Sequence, residues 1–318
     1  MVASWLVSVA VTLALCFPVL RLLRKRSIVD EPNHRSSHGI ATPRGGGIAV
    51  MLGCIAAASL GDARMLAAGA TGFGILGLLE DLRGVDIRVR LLAQITIALL
   101  GSGFLILDNH SWSPTVILAV VTSGLLVVSY VNAFNFMDGI NGISCTQAMI
   151  VGAYFALLGH HYHSASLERG GLIVFGATLA FLPFNAPRAT MFLGDVGSYF
   201  LGGWISLLVV VGLSNQVPWP MMLAPLSIYG IDTFSTIVRR VRRHESPLEP
   251  HREHVYQKLS RRFGSHLTST LAVSAVTAVV SGGGFLAGRS LGGVRVAWLG
   301  AVVLIAFGYA FLGWLVSE

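Results

Sequence analysis

Apolar runs of bilayer-spanning length follow one another along almost the whole chain, separated by short polar segments. A transmembrane helix needs about 20 mostly apolar residues, within a range of about 17–25. The pattern predicts about eleven spans, at 2–20, 44–61, 65–80, 89–107, 115–133, 142–159, 170–184, 198–213, 219–238, 267–286 and 294–316. The third and seventh are short enough for a re-entrant or tilted path. The expected fold is all-α: a polytopic integral membrane helical bundle in which residues 1–318 form a single domain. One polar segment stands out, Asn132-Ala-Phe-Asn135-Phe-Met-Asp138-Gly-Ile-Asn141-Gly142. Its amides and carboxylate recur every third residue, and on a helical path such positions step around one broad face.

Composition agrees with this pattern. The 318 residues are 54% hydrophobic and 12% charged, whereas soluble domains carry about 25% charged residues. The basic residues also sort by side. Segments 21–44, 80–90, 132–142, 185–197 and 239–266 hold 18 of the 22 Lys and Arg; the others are Arg64, Arg169, Arg289 and Arg295. The positive-inside rule assigns these five segments to the cytoplasm and the N-terminus to the outside of a plasma (inner) membrane. The net charge of +7 follows from this bias and is no argument for nucleic acid. The first span lacks the basic n-region of a cleaved signal peptide. Cys16, Cys54 and Cys145 stand apart and suggest neither a metal pattern nor a disulfide framework. His160, His161 and His163 fall in the longest outer connection and read as an exposed polar loop.

The candidate chemistry shares the basic side. Glu80, Asp81, Asp86, Asp138 and Asp195 all fall in or beside its connections. Asp232 lies near the end of a span, and a carboxylate at membrane depth is costly; a bridge to a loop arginine is the structural alternative. Gly45, Gly46 and Gly47 allow close backbone approach to a ligand or a helix, and beside Arg35, His38 and Arg44 they suit phosphate. A basic patch on anionic lipid stays open for the same residues. Glu80 and Asp81 can position a cation, accept a proton, or pair with Arg83, Arg88 and Arg90. Asp195 opens a span between two glycines, where the helix dipole favours a carboxylate. With an Asn oxygen from 132–141 it suits Mg²⁺, which takes one or two protein oxygens and completes its shell with phosphates and water. Arg239, Arg240, Arg242 and Arg243 read as a topology anchor, whereas His251 and His254 around Arg252 suit an anionic group. Together these residues predict a phosphorylated substrate and phosphoryl transfer.

Six motifs in order carry a resemblance: Asp30-x-Pro-Asn-x-Arg35-x-x-His38, Thr42-Pro-Arg-Gly-Gly-Gly47, the pair Glu80-Asp81, Asn132 to Gly142, Phe192-Leu-Gly-Asp195-x-Gly-Ser198 and His251-Arg-Glu-His254. Over residues 30–260 the chain resembles the polyprenyl-phosphate N-acetylhexosamine-1-phosphate transferases, glycosyltransferase family 4. The resemblance implies transfer of a sugar 1-phosphate from a UDP-N-acetylhexosamine to polyprenyl phosphate in the membrane, releasing UMP. It implies Mg²⁺, with Mn²⁺ as a substitute, at Asn135 and Asp195, and nucleotide contacts near Asp138 and Asn141. It places His251, Arg252 and His254 around the diphosphate and sugar, and Asp81 with Glu80 at the lipid phosphate. Arg44 joins the expected phosphate contacts, and Asp195 the catalytic set. Two departures count: Glu80 replaces the usual Asp, and Asn141 stands where the phospho-muramoyl-pentapeptide branch carries Asp. With the loop His-Arg-Glu-His-Val-Tyr-Gln, they favour the branch that initiates O-antigen and related surface polysaccharides. A pentapeptide-type enzyme and a multi-span transporter are the alternatives, and a homodimer is left open. A transporter usually places its site near the midplane in repeated halves, and no repeat is evident here. An alcohol phosphotransferase is disfavoured because several aspartates on one helix-spaced motif are missing.

Overall fold

The computed structural model describes residues 1–31, 41–108, 110–246 and 251–316. Arg35 and His38 lie outside them. The helices are α1 (Val2–Lys25), α2 (Gly47–Ala58), α3 (Arg64–Arg83), α4 (Ile87–Leu107), α5 (Pro114–Met137), α6 (Ile143–His161), α7 (Ala165–Asn185), α8 (Gly194–Ser214), α9 (Trp219–Leu223), α10 (Ser227–Arg242), α11 (Val255–Phe263), α12 (His266–Arg289) and α13 (Gly292–Leu315). A 3₁₀ turn at Ala224–Leu226 joins α9 to α10, so the two form one span. The two short strands β1 (Val29–Asp30) and β2 (Thr42–Pro43) pair antiparallel.

Ten spans among the described residues are long and apolar enough to cross a bilayer. The eleventh expected span is the correction. Gly47–Ala58 has 12 residues, about 18 Å at 1.5 Å per residue, against a hydrocarbon core of about 30 Å. The short helix is thus the second one. The third and seventh, expected to be short, run 20 and 21 residues.

Local chemistry explains several helix starts. Ser113 Oγ accepts the Val116 N–H at 3.2 Å ahead of Pro114 at the first helical position of α5. Asp86 caps α4 through the Arg88 N–H at 2.9 Å, and Ser265 caps α12 through the Thr268 N–H at 3.2 Å. Helix α8 is the centre of the bundle, with 94% of its spanning window buried. It packs against α2, α3, α4 and α5; α6 pairs with α7, and α12 with α13.

Two close approaches set the geometry at the start of α8. Gly47 on α2 meets Gly197, and Gly77 on α3 meets the Asp195 carbonyl, so a Cβ at either position collides with backbone. Small residues let membrane helices approach this way. Asp81 lies one turn beyond Gly77 on the same face of α3, so this approach delivers its carboxylate to the first turn of α8.

Candidate active site

The segment 43–47 is zipped onto the residues before α8. Phe192 N–H donates to Pro43 O at 2.8 Å, Gly46 N–H to Phe192 O at 2.8 Å and Gly47 N–H to Leu193 O at 2.8 Å. The glycine amides are therefore spent on protein carbonyls. Of the two readings open for the triple glycine, the structure shows close approach to a helix. Gly194 completes the join in the left-handed region at φ +76°, where a Cβ lies 2.8 Å from Asp81 Oδ2 and 2.9 Å from Gly45 N.

This join holds Arg44 over α8. Its Nε lies 2.9 Å from Asp81 Oδ1 and its Nη2 2.7 Å from Asp195 Oδ2. Asp81, 3% exposed, also accepts the Asp195 N–H at 3.1 Å and the Val196 N–H at 2.9 Å. Asp81 thus caps α8 from another helix, supplying an acceptor and a negative charge to its unpaired first-turn amides. Asn135, in the last turn of α5, donates through Nδ2 to Asp195 Oδ1 and to Ser198 Oγ, both at 2.9 Å. Arg44, Asp81, Asn135 and Asp195 are therefore one contact network drawn from four segments.

Asp138 ends α5 beside this network and is half-buried. Burial, which disfavours the charged form, pushes its carboxyl up to about 7; the Ser144 hydroxyl opposes this and the Asp195 charge adds to it. Burial alone lowers the pKa of Arg44, but Asp195 and Asp81 more than offset it and hold the guanidinium above its usual value.

Glu80 leaves the network to its neighbour: its Oε1 pairs with Arg90 Nη1 at 3.0 Å. Asn132 ties α5 to α4 through Gln94 Oε1 at 2.7 Å. Asn141 stands in the turn before α6, its side chain donating to Pro187 O at 3.0 Å and its N–H to His266 Nδ1 at 3.3 Å.

The His251–His254 loop approaches the other side of α5. Phe136, next to Asn135, stacks on His254 with ring centroids 6.1 Å apart, and Tyr256 O–H donates to Phe136 O at 3.0 Å. His254 is buried, whereas His251 and Arg252 are half-buried. Burial, with His254 and Arg240 beside it, pushes the His251 imidazole down to about 4. At neutral pH His251 is therefore an uncharged hydrogen-bonding group. The loop's shape comes from arginines that read as topology anchors in the sequence. Arg240 Nη1 lies 2.6 Å from Glu253 Oε1, and Arg239 Nη2 donates to Glu253 O at 3.2 Å. Burial opposes ionisation of Glu253, but Arg240 outweighs it and holds that carboxyl below its usual value.

Among the described residues Asp232 does not bridge to a loop arginine, as the structural alternative supposed. Its partners are His254, the backbone of Val255 and Tyr256, Tyr309 and, at 3.5 Å, the Thr236 hydroxyl. Motif reading missed Tyr309 and Lys258; the one signal for Tyr309 is the lone hydroxyl of α13, whose only charged side chain is Arg295 at its start. Lys258 Nζ donates to Gly313 O at 2.7 Å, joining α11 to α13.

A divalent cation fits this donor set. Among the described residues no three His, Cys, Asp or Glu form a cage. Asp195, 19% exposed, and Asn135 instead offer two hard oxygen side chains at one point once the Asn135 amide is turned over. Asp81 and Asp195 against Arg44 leave a net negative charge even before Asp138 is counted. A site with so few protein oxygens suits Mg²⁺.

The structure is thus a multi-pass membrane bundle with an acidic site, bridged by Arg44, at the start of its central helix. The chain belongs to glycosyl transferase family 4, the polyprenyl-phosphate hexosamine-1-phosphate transferases, whose family pattern matches residues 63–213. It is 29% identical over 301 residues to a probable undecaprenyl-phosphate N-acetylglucosaminyl 1-phosphate transferase of Bacillus subtilis, covering 88% of this chain and 83% of that protein. An undecaprenyl-phosphate alpha-N-acetylglucosaminyl 1-phosphate transferase of Thermotoga maritima is 28% identical, with 79% of each chain covered. A phospho-N-acetylmuramoyl-pentapeptide-transferase of Geobacillus thermodenitrificans is 30% identical over 75% of this chain and 81% of its own length.

Proposed function

We propose that the protein transfers an N-acetylhexosamine 1-phosphate from a UDP-sugar to undecaprenyl or another polyprenyl phosphate at the cytoplasmic face of the inner membrane. UMP leaves and a polyprenyl-diphospho-sugar remains, the starting lipid for O-antigen or a related surface polysaccharide. The observation that carries this reading is the Arg44–Asp81–Asp195–Asn135 network, built at the membrane end of the central helix. The names of the N-acetylglucosamine-type relatives support the same chemistry.

In this reading a lipid-phosphate oxygen attacks the sugar-linked phosphorus. The bond from that phosphorus to the UMP oxygen breaks, and the sugar C1–O bond is kept. The second pKa of a phosphate monoester is about 6, so the acceptor is largely dianionic at neutral pH and needs little general-base help. The chain's own task is to hold two anions in line. Arg44 is suited to phosphate oxygens because its planar fork donates two parallel hydrogen bonds. Asp195 and Asn135 would hold Mg²⁺, which would supply positive charge against the phosphates. Asp81 keeps the first turn of α8, and with it Asp195, in place.

Membranes or purified protein incubated with polyprenyl phosphate and a panel of UDP-N-acetylhexosamines test the reading. UMP release that requires both the lipid and Mg²⁺ is expected, and the panel identifies the sugar. No release from any donor, or release without the lipid acceptor, refutes it. A phospho-sugar trapped covalently on the protein without lipid refutes direct attack in favour of a two-step route.

A further inference from the structure

Asp232 has no part in the transfer chemistry described above, yet its side chain on α10 is fully buried. Donors surround it. His254 Nδ1 lies at 3.0 Å, the Val255 N–H at 3.0 Å, the Tyr256 N–H at 3.3 Å and the Tyr309 hydroxyl at 2.8 Å. A carboxylate has only acceptors to offer. Nδ1 of His254 therefore carries the proton shared with Asp232, and the same side chain accepts the Gln257 N–H in the capping box of α11. The two backbone amides come from the first turn of α11. Asp232 thus fixes both the ring and the helix that follows it.

The consequence reaches the site through stacking. The His254 ring lies 5.0 Å from His251, 5.8 Å from Tyr256 and 6.1 Å from Phe136, centroid to centroid. Phe136 adjoins Asn135. A shift of His254 therefore moves His251 and Arg252 relative to the Asn135 end of α5. The last helix takes part as well, since α13 supplies Tyr309 to the carboxylate and the Gly313 carbonyl to Lys258.

We propose that Asp232 is a positioning residue: it sets the proton and orientation of His254 and so places the His251–His254 loop against Asn135, with Tyr309 of the last helix steadying its carboxylate. The kinetic arm of the test rests on the transfer reading above; the chemical arm does not. The chemical arm is carbethoxylation of His254 by diethyl pyrocarbonate on the full-length protein, read by mass spectrometry.

Asp232→Asn is expected to make His254 react much faster than in the wild type. It is also expected to lower kcat about 10- to 100-fold, as loss of an orienting partner typically does, with a far smaller change in donor KM. Asp232→Glu, which keeps the charge, recovers part of both. Asp232→Asn with wild-type kcat overturns the proposal. So does an inactive Asp232→Asn protein whose His254 stays as protected as before. If Asp232→Asn does not fold, Tyr309→Phe removes one donor and leaves the carboxylate. Smaller shifts in the same two readouts support the proposal, and no shift in either overturns it. A wild-type protein that releases no UMP, while Asp232→Asn still exposes His254, refutes the transfer reading and supports the positioning role.

Discussion

Asp81→Asn separates the two jobs an acid can have in this site. The carboxylate accepts the Asp195 and Val196 N–H groups and pairs with Arg44. Asparagine keeps one oxygen, so one first-turn amide of α8 faces an NH₂ group instead of an acceptor. A buried donor left unpaired costs about 1–3 kcal/mol. Loss of the negative charge at the helix start adds about 0.3–1 kcal/mol. The Arg44 pair adds about 0–1 kcal/mol, because Arg44 is 38% exposed and solvent screens it. The sum is a loss of roughly 1–5 kcal/mol, concentrated at the segment that carries Asp195. The assay is thermal unfolding of purified protein in detergent beside UMP release at saturating Mg²⁺. Melting is expected to fall together with kcat, and raising the pH is not expected to restore the rate. An Asp81→Asn protein that melts like the wild type but is inactive, with activity returning at high pH, refutes the capping argument and makes Asp81 a proton acceptor.

Three further outcomes are expected. Asp195→Ala abolishes transfer while the protein still inserts and purifies, and full activity in this variant at saturating Mg²⁺ refutes its role in holding the cation. Asp138, with its pKa raised to about 7, is neutral below that pH and ionised above it; its charge adds to that of Asp195 where the cation would sit, so activity at limiting Mg²⁺ rises with pH through about 7, Asp138→Asn should flatten this limb, and an unchanged profile refutes that contribution. Asn132→Ala loses its bond to Gln94 and should lower stability by about 0.6 kcal/mol, a typical value for hydrogen bonds between membrane helices; a kcat lowered as far as in Asp195→Ala shows that Asn132 belongs to the site.

The periodic signal made the bundle legible, because hydrocarbon forces helices to close their own backbone bonds. It failed at residues 44–61, where an apolar run conceals a turn. Arg44 to Gly46 bond to Phe192 and Ile28 carbonyls before α2 begins, and no local property of the segment reveals that pairing. The every-third-residue pattern from Asn132 to Asn141 was visible, but its division was not. Asn135 belongs to α8, Asn132 to α4 and Asn141 to the ends of α7 and α12, because α5 ends at Met137 and the face does not continue.

The two buried aspartates show where sequence reading stops. Asp81 and Asp232 both carry the cost of a carboxylate away from water, and for Asp232, near the end of a span, that cost is readable from position. Their partners are the first-turn amides of helices that begin far along the chain, Asp195 and Val196 for one, Val255 and Tyr256 for the other. A helix start leaves its first N–H groups unpaired. Leu193 gives α8 no side-chain cap, and at α11 the His254–Gln257 capping box leaves the Val255 and Tyr256 N–H groups for another acceptor. Those first-turn amides without a local acceptor are the complementary signal. A carboxylate away from water and the unpaired first-turn amides of a distant helix account for each other. Here the pairing places Asp195 through Asp81 and His254 through Asp232, so both acids act by building the site.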